Sequence, residues 1–253
     1  MSGAGTERLE DVAATAGGSS TADYYDRYWS ADPTPHYEPG HELAALLASN
    51  ADPEDRVLDV GCGAGNSYAR PIAERVASYK GVDASATAVE LARCAGLDAT
   101  VIDDAASLPF PDDDFDLAIC IEVFEHLFEP HRAAAEIRRV LRPGGRLVAS
   151  TPNSLYWRLR LDLLLGRWNP LGDELGGEQP WRDPHIRFFG PETLTRMLRS
   201  AGFGQVEAGA HGGRLLDHLT GRPTDFGQSH LYRAVERRFP ALLGATLHAL
   251  AVK

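Results

Sequence analysis

The chain has 253 residues, of which 43% are hydrophobic, and this suffices for one α/β domain with a full core and insertions. Its net charge of -11 disfavours a general nucleic-acid surface, since a polyanion is bound by basic side chains. Three cysteines without a C-x-x-C spacing indicate neither a disulfide framework nor a zinc cluster.

We expect a soluble protein of the reducing cytoplasm that does not enter a membrane. No apolar run approaches the roughly 20 residues that cross a bilayer, and the first residues lack the basic and then apolar pattern of a secretion signal. Residues 1–21 are small and polar and predict a flexible leader. Residues 22–50 predict a helical segment whose aromatic side chains need burial: Tyr24, Tyr25, Tyr28 and Trp29.

A predicted strand that breaks into a glycine-rich turn is the most informative feature of the sequence. Residues 57–60 suit a strand buried on both faces, and glycines follow at alternate positions: Gly61, Gly63 and Gly65. The spacing differs from the Gly-x-Gly-x-x-Gly of dinucleotide sites. Asp59 would repel a phosphate and attract an amine or sulfonium. The pattern therefore favours a cationic ligand, with a ligand-free strand-to-helix turn as the alternative.

Two further acids end the next two predicted strands. Asp83 closes a strand and precedes Ser85, a predicted N-cap for a helix over 86–95. An acid at this place can accept both hydroxyls of a ribose, and a turn or capping aspartate is the alternative. A short strand over 99–102 leads to Asp104, whose carboxylate could accept from an adenine amino group.

The remaining pattern continues the alternation of strand and helix. Phe110 and Phe115 are expected to anchor a proline-rich turn in the core. We predict strands over 117–121, 146–150 and 203–208, and helices over 131–141, 155–165 and 191–200. The segment 245–252 is apolar and ambiguous between strand and helix. Long insertions are expected at about 153–184 and 211–240, and His211 within the second is expected to be a surface or loop residue.

Five ordered segments resemble the class I S-adenosylmethionine-dependent methyltransferases of the small-molecule type, with partial similarity to ubiquinone-pathway O-methyltransferases. The segments are VLDVGCGAG at 57–65, GVDAS at 81–85, DAASLPFPDDDFD at 104–116, EVFEH at 122–126 and LRPGGRL at 141–147. The resemblance implies an α/β Rossmann-like methyltransferase fold over residues 51–253. Its sheet has seven strands, mostly parallel with one antiparallel, and helices cover both faces.

The resemblance also implies S-adenosylmethionine as the cofactor. Its contacts would come from the glycine loop, from Asp83 and Ala84, and from Asp104 and Ala105. Methyltransferases with a similar YYDxYW stretch commonly fold it as a helical lid, so residues 22–50 have two interpretations, a lid or a core anchor. Tyr25 is then a further cofactor candidate.

The acceptor side is expected in the turn after the fourth strand. Glu122, Glu125 and His126 would share one face if that strand passed straight into a helix. His185, after the fifth strand and its insertion, is expected at the same open end of the sheet. These four residues predict a site for Mg²⁺ or another divalent ion that would hold an acceptor hydroxyl.

Two other interpretations of these residues stay open. In the first, Glu122 orients the cofactor amine and His126 or His185 removes a proton as the general base, without a metal. In the second, His126 is a hydrogen-bonded structural histidine.

The sequence therefore predicts methyl transfer to a small molecule, most simply to oxygen. An RNA 2′-O-methyltransferase and a non-catalytic regulatory protein that binds S-adenosylmethionine are the alternatives, and the acidic charge disfavours the former.

Overall fold

The computed structural model describes residues 21–31, 40–167, 185–212, 234–236 and 238–253. Residues 1–20 of the predicted leader and much of both predicted insertions lie outside this range. The strands are β1 Arg56–Val60, β2 Ser78–Asp83, β3 Ala99–Val101, β4 Phe115–Ile121, β5 Leu141–Pro152, β6 Gln205–His211 and β7 Thr246–Val252. The helices are α1 Thr21–Ala31, α2 His41–Asn50, α3 Ala69–Ala73, α4 Ala86–Cys94, α5 Pro130–Val140, α6 Trp157–Leu164, α7 Pro191–Ser200 and α8 Pro240–Leu243.

These strands form one seven-stranded sheet in the order β3-β2-β1-β4-β5-β7-β6. All neighbours pair in parallel except β7, which runs antiparallel to both β5 and β6. The predicted mostly parallel sheet with one antiparallel strand is confirmed. The strand order reverses between β1 and β4, and in open α/β sheets the crevice beyond the carboxyl ends at such a reversal is where ligands bind.

The core lies on both faces of the sheet, as parallel strands require. Strand β4 alternates between the two faces: Ala118 and Cys120 join one hydrophobic cluster, and Leu117 and Ile119 join the other. Helices α5 and α7 cover the first face, and α2, α3 and α4 cover the second. The predicted anchor of the proline-rich turn is confirmed, since the ring centroids of Phe110 and Phe115 lie 5.1 Å apart.

The structure changes several predicted boundaries. Strand β5 begins at Leu141 and not at 146, because residues 142–145 bulge out of the ladder while Leu141 still pairs with Phe115. The ambiguous last segment is a strand because it pairs along its whole length with both neighbours. Helix α6 is shorter than the predicted 155–165. Several of its leucines are exposed and its buried residue is Asp162.

In the described part of the chain, no helix combines the length and the apolar character needed to cross a membrane.

A histidine pair joins the neighbouring strands β6 and β7 and corrects the expectation for His211. That side chain is 2% exposed in β6, and its Nδ1 lies 3.0 Å from Nδ1 of His248 in β7. One ring must donate and the other accept, so the pair is satisfied when neutral. Burial lowers the pKa of both imidazoles, and that of His248 falls to about 4.

We expect this pair to make the protein less stable in mild acid. The unfolded chain binds a proton at His248 near the ordinary pKa of 6.5, and the folded chain binds it only near 4. The free energy of unfolding should therefore fall by about 2–3 kcal/mol as the pH drops from 6.5 to 4. Urea denaturation of wild type and His248→Asn across this range measures the effect. The variant should lose less stability than wild type, and parallel pH profiles would contradict the assignment.

Candidate active site

The glycine loop after β1 adopts backbone angles that favour glycine. Gly61, Gly63 and Gly65 have φ values of +75°, +54° and +88°, in or near the left-handed region that side chains disfavour. The amides of Gly61 and Cys62 both donate to the carbonyl oxygen of Val82, at 2.8 and 3.1 Å. The loop is thus fastened to the carboxyl end of β2, at the point where the strand order reverses.

Side chains from two other elements lie against this loop. A Cβ on Gly61 would come within 2.3 Å of Cγ2 of Val123, in the turn after β4. A Cβ on Gly63 would come within 2.8 Å of the indole ring of Trp29 in α1. The loop therefore lies between the predicted acceptor turn and the predicted lid, and it has no room for a side chain at Gly61 or Gly63.

Asp83 lies at the end of β2, beside the loop. Its Oδ2 accepts from the amide of Gly63 and its Oδ1 from the amide of Ser85, both at 2.9 Å. Ser85 is the N-cap of α4, as predicted, since its Oγ accepts from the amide of Ala88. Burial raises the pKa of Asp83. Each carboxylate oxygen can accept a second hydrogen bond, so the half-buried Asp83 fits a ribose. Ala84, between these residues, is also half-buried.

Asp59 lies beneath the loop and differs from the predicted ligand contact. Its side chain is 0% exposed, and its carboxylate accepts from the hydroxyls of Tyr79 at 2.6 Å and Tyr68 at 3.4 Å. Burial raises its pKa to about 7. This buried carboxylate supports the strand and the loop through its two phenol partners, and none of its surface is exposed to the crevice for the predicted ligand contact.

Asp104 and Ala105 follow β3 at the same edge of the sheet. Asp104 is exposed and Ala105 is half-buried. Oδ1 of Asp104 accepts from the amide of Ala106 at 2.8 Å, which closes a local turn. The carboxylate keeps acceptor capacity, so the predicted adenine contact stays a prediction.

Helix α1 carries the aromatic segment over the crevice. The ring centroid of Tyr25 lies 6.1 Å from that of His126, in an edge-to-face arrangement. The ring of Trp29 lies over Gly63. None of its residues is buried. This position above both the loop and the acceptor turn favours the lid interpretation over a core anchor.

Glu122 turns away from the predicted four-residue cluster. The strand does not pass straight into an α-helix, because Glu122 has φ of +55° and only a single 3-10 turn, Phe124–His126, follows. Oε1 of Glu122 accepts from Oγ of Ser150 at 2.6 Å. The shared helical face is thus absent, and Glu122 lies outside the group that could hold a metal.

The other three residues do come together. Ligand atoms of Glu125, His126 and His185 all lie within 4.8 Å of one another. The two imidazole rings are 4.9 Å apart, and Oε1 of Glu125 is 3.9 Å from Nε2 of His126. Glu125 is buried and both histidines are partly accessible. One carboxylate and two imidazoles form a donor set that suits a divalent transition metal.

Backbone hydrogen bonds bring the distant His185 to this place. The carbonyl oxygen of Glu125 accepts from the amides of Ile186 and Arg187, at 2.9 and 3.0 Å. The segment after the insertion is therefore pinned to the 3-10 turn.

Several residues at the site were missed by sequence analysis. Asp26 accepts from Ser85 and Thr87 at the start of α4, and Val123, Tyr68, Tyr79 and Ser150 support the loop or the turn. The sequence offered a signal for Asp26, which is an acid among the aromatic residues of YYDRYW at 24–29. The others look like ordinary core or strand residues in the sequence.

Comparisons with known proteins identify the family and the fold. A family model described as a methyltransferase domain matches residues 28–208. A ubiquinone biosynthesis O-methyltransferase from Hahella chejuensis is 31% identical over 192 residues, covering 71% of this chain and 76% of the relative. Methyltransferase GfsG from Streptomyces halstedii is 37% identical over 132 residues, which is 47% of each chain.

A solved structure shares the fold. A SAM-dependent methyltransferase from Thermotoga maritima, described as a possible histamine N-methyltransferase, superposes with a TM-score of 0.59 at 20% identity. The match covers 90% of this chain and 94% of that one.

Proposed function

This chain belongs to the class I S-adenosylmethionine-dependent methyltransferases, and we propose that it methylates an oxygen of a small molecule with the help of a divalent metal ion. The observation that carries the proposal is the convergence of Glu125, His126 and His185 within 4.8 Å, beside the lid and the glycine loop. Relatives named as O-methyltransferases support transfer to oxygen. The net charge of -11 supports a small acceptor over RNA.

The donor set favours a transition metal over the Mg²⁺ considered from the sequence. Magnesium prefers oxygen ligands, whereas imidazole suits iron, zinc, nickel and copper. With Glu122 outside the group, two of the three donors are imidazoles. When bound, such an ion supplies a Lewis acid that lowers the pKa of an acceptor hydroxyl.

The chain's own residues would perform binding and positioning. The glycine loop and Asp83 would hold the nucleoside part of the cofactor, with Asp104 and Ala105 near its base. Glu122, fixed by Ser150, would orient the cofactor amine from the turn beside Gly61. Tyr25 and the rest of α1 would exclude water. In the metal-free alternative, His126 or His185 would accept the acceptor proton directly.

A methyl-transfer assay tests this function. The purified protein would be given S-adenosylmethionine with a radioactive methyl group and phenols, alcohols, amines or RNA as acceptors. We expect labelled product from a hydroxyl compound, with the methyl located on oxygen by NMR. Chelation should lower the rate by about a hundredfold or more, and Fe²⁺ or Zn²⁺ should restore it.

Each part of the proposal can fail separately. Full activity after exhaustive chelation would leave the metal-free base as the mechanism. Transfer only to RNA or to amines would contradict the small-molecule hydroxyl. Cofactor binding without transfer to any acceptor would indicate the regulatory alternative.

A further inference from the structure

We propose that Asp26 is a latch that fastens the lid helix α1 to the cofactor-binding turn, so that lid docking and cofactor binding are coupled. Asp26 is a positioning residue in this proposal, acting through Ser85 and Asp83. The inference rests on the cofactor site of the proposed function, and it is independent of the acceptor and of any metal.

The latch is a carboxylate at the start of a helix. Oδ1 of Asp26 accepts from Oγ of Ser85 at 2.6 Å and from the amide of Thr87 at 3.0 Å. Amides in the first turn of a helix have no partner within the helix, and a negative charge is stabilised there. The hydrogen bonds from Ser85 and Thr87 accordingly lower the pKa of Asp26. The latch is therefore charged at neutral pH.

The same serine connects the latch to the glycine loop. Its amide donates to Asp83, and the other oxygen of Asp83 accepts from the amide of Gly63. Helix α1 touches this chain of hydrogen bonds at both ends, through Asp26 at Ser85 and through the ring of Trp29 over Gly63. A change in the position of α1 would therefore shift both Asp83 and the glycine loop, which are the two groups that would contact the nucleoside.

Directional contacts matter for α1 because its side chains, including the rings of Tyr25, Tyr28 and Trp29, are at most half-buried. No residue of the helix is buried, whereas α2 and α4 each bury residues in the core. A helix without buried side chains depends on its polar and ring contacts to stay docked. Cofactor in the crevice would favour the docked state in turn, and the measured affinity would scale with the docked fraction.

Binding of S-adenosylhomocysteine measures this coupling without an acceptor. We expect Asp26→Ala to weaken binding about tenfold in titration calorimetry, the range expected for losing a helix-terminal carboxylate. Ser30→Ala is the matched control, since it removes an exposed hydroxyl bond on the same helix and should leave affinity unchanged. An affinity of Asp26→Ala within about twofold of wild type would overturn the latch.

A double-mutant cycle separates the latch from a general loss of structure. Ser85→Gly removes the hydroxyl that donates to Asp26, while glycine remains a tolerated N-cap. If the two residues act together, Asp26→Ala with Ser85→Gly should weaken binding no further than Asp26→Ala alone. Independent, additive losses would contradict the coupling. Hydrogen exchange should show that α1 is less protected in Asp26→Ala and that β4 is unchanged. If β4 also loses protection, Asp26→Ala has disturbed the fold, and the affinity of Ser85→Gly is compared with that of wild type instead. An unchanged affinity of Ser85→Gly would then overturn the latch.

Discussion

Replacing His185 by alanine should lower kcat for methyl transfer by about a hundredfold or more and remove the bound metal. The effect is large because the proposed site has three protein ligands, and we expect the two that remain in the variant to be too few to hold the ion. The hydrogen bonds that bring this segment to the site come from the backbone of Ile186 and Arg187 to Glu125, so alanine at 185 leaves them intact. Steady-state kinetics and metal analysis of the purified variant measure the two losses together.

His131→Ala is the matched control, because His131 is exposed on α5 and lies outside the metal-binding group. It should keep both activity and metal. Glu125→Gln separates the two mechanisms, since it removes the carboxylate ligand and keeps both imidazoles. Metal dependence requires that this variant lose metal and activity together. The metal-free base would be established by three results together. Purified wild type would contain no metal, His185→Ala would be impaired, and Glu125→Gln would stay active.

Gly61→Ala should destabilise the fold by about 3 kcal/mol or more and weaken cofactor binding. The left-handed backbone at Gly61 costs an alanine about 1–2 kcal/mol. The added Cβ also meets Cγ2 of Val123 at 2.3 Å, and a β-branched side chain cannot easily rotate away. The turn that carries Glu125 and His126 must then move away from the loop. Urea denaturation and titration with S-adenosylhomocysteine measure the two effects.

Gly144 provides the matched control for Gly61. It has φ of +77°, and a Cβ there would meet nothing within 4 Å. Gly144→Ala should therefore show only the conformational cost of about 1–2 kcal/mol and no change in cofactor affinity. Gly61→Ala combined with Val123→Ala should regain part of the lost stability. Equal destabilisation by Gly61→Ala and Gly144→Ala would show that contact with Val123 contributes nothing.

Local patterns in the sequence predicted most of the strands and helices, although several boundaries differ in the structure. The apolar runs, Ser85 as the N-cap and the alternating glycines each depend on a few neighbouring residues, so their structural meaning does not require distant contacts. The resemblance of the motifs to a known family then indicated the identity of the cofactor, S-adenosylmethionine. The ambiguous segment after 244 is different, because it becomes a strand only through pairing with β5 and β6.

The acidic residues show where such local patterns fail. Asp59 was expected at the ligand, yet Tyr68 and Tyr79 cover it. Glu122 was expected beside Glu125, yet its positive φ turns it to Ser150. In both cases the residue type and position were correct for a site, and the direction of the side chain depended on partners that the pattern does not specify.

The sequence alone determined the fold class, the glycine loop and the family, because periodicity, turn residues and short motifs record local backbone requirements. Tertiary structure decided which side chains meet. Backbone pairing of Ile186 and Arg187 with Glu125 brings His185 to His126, and Asp26 bonds to the start of α4. These contacts join residues far apart in the chain, and their geometry is fixed only when the sheet, the turn and the lid pack together.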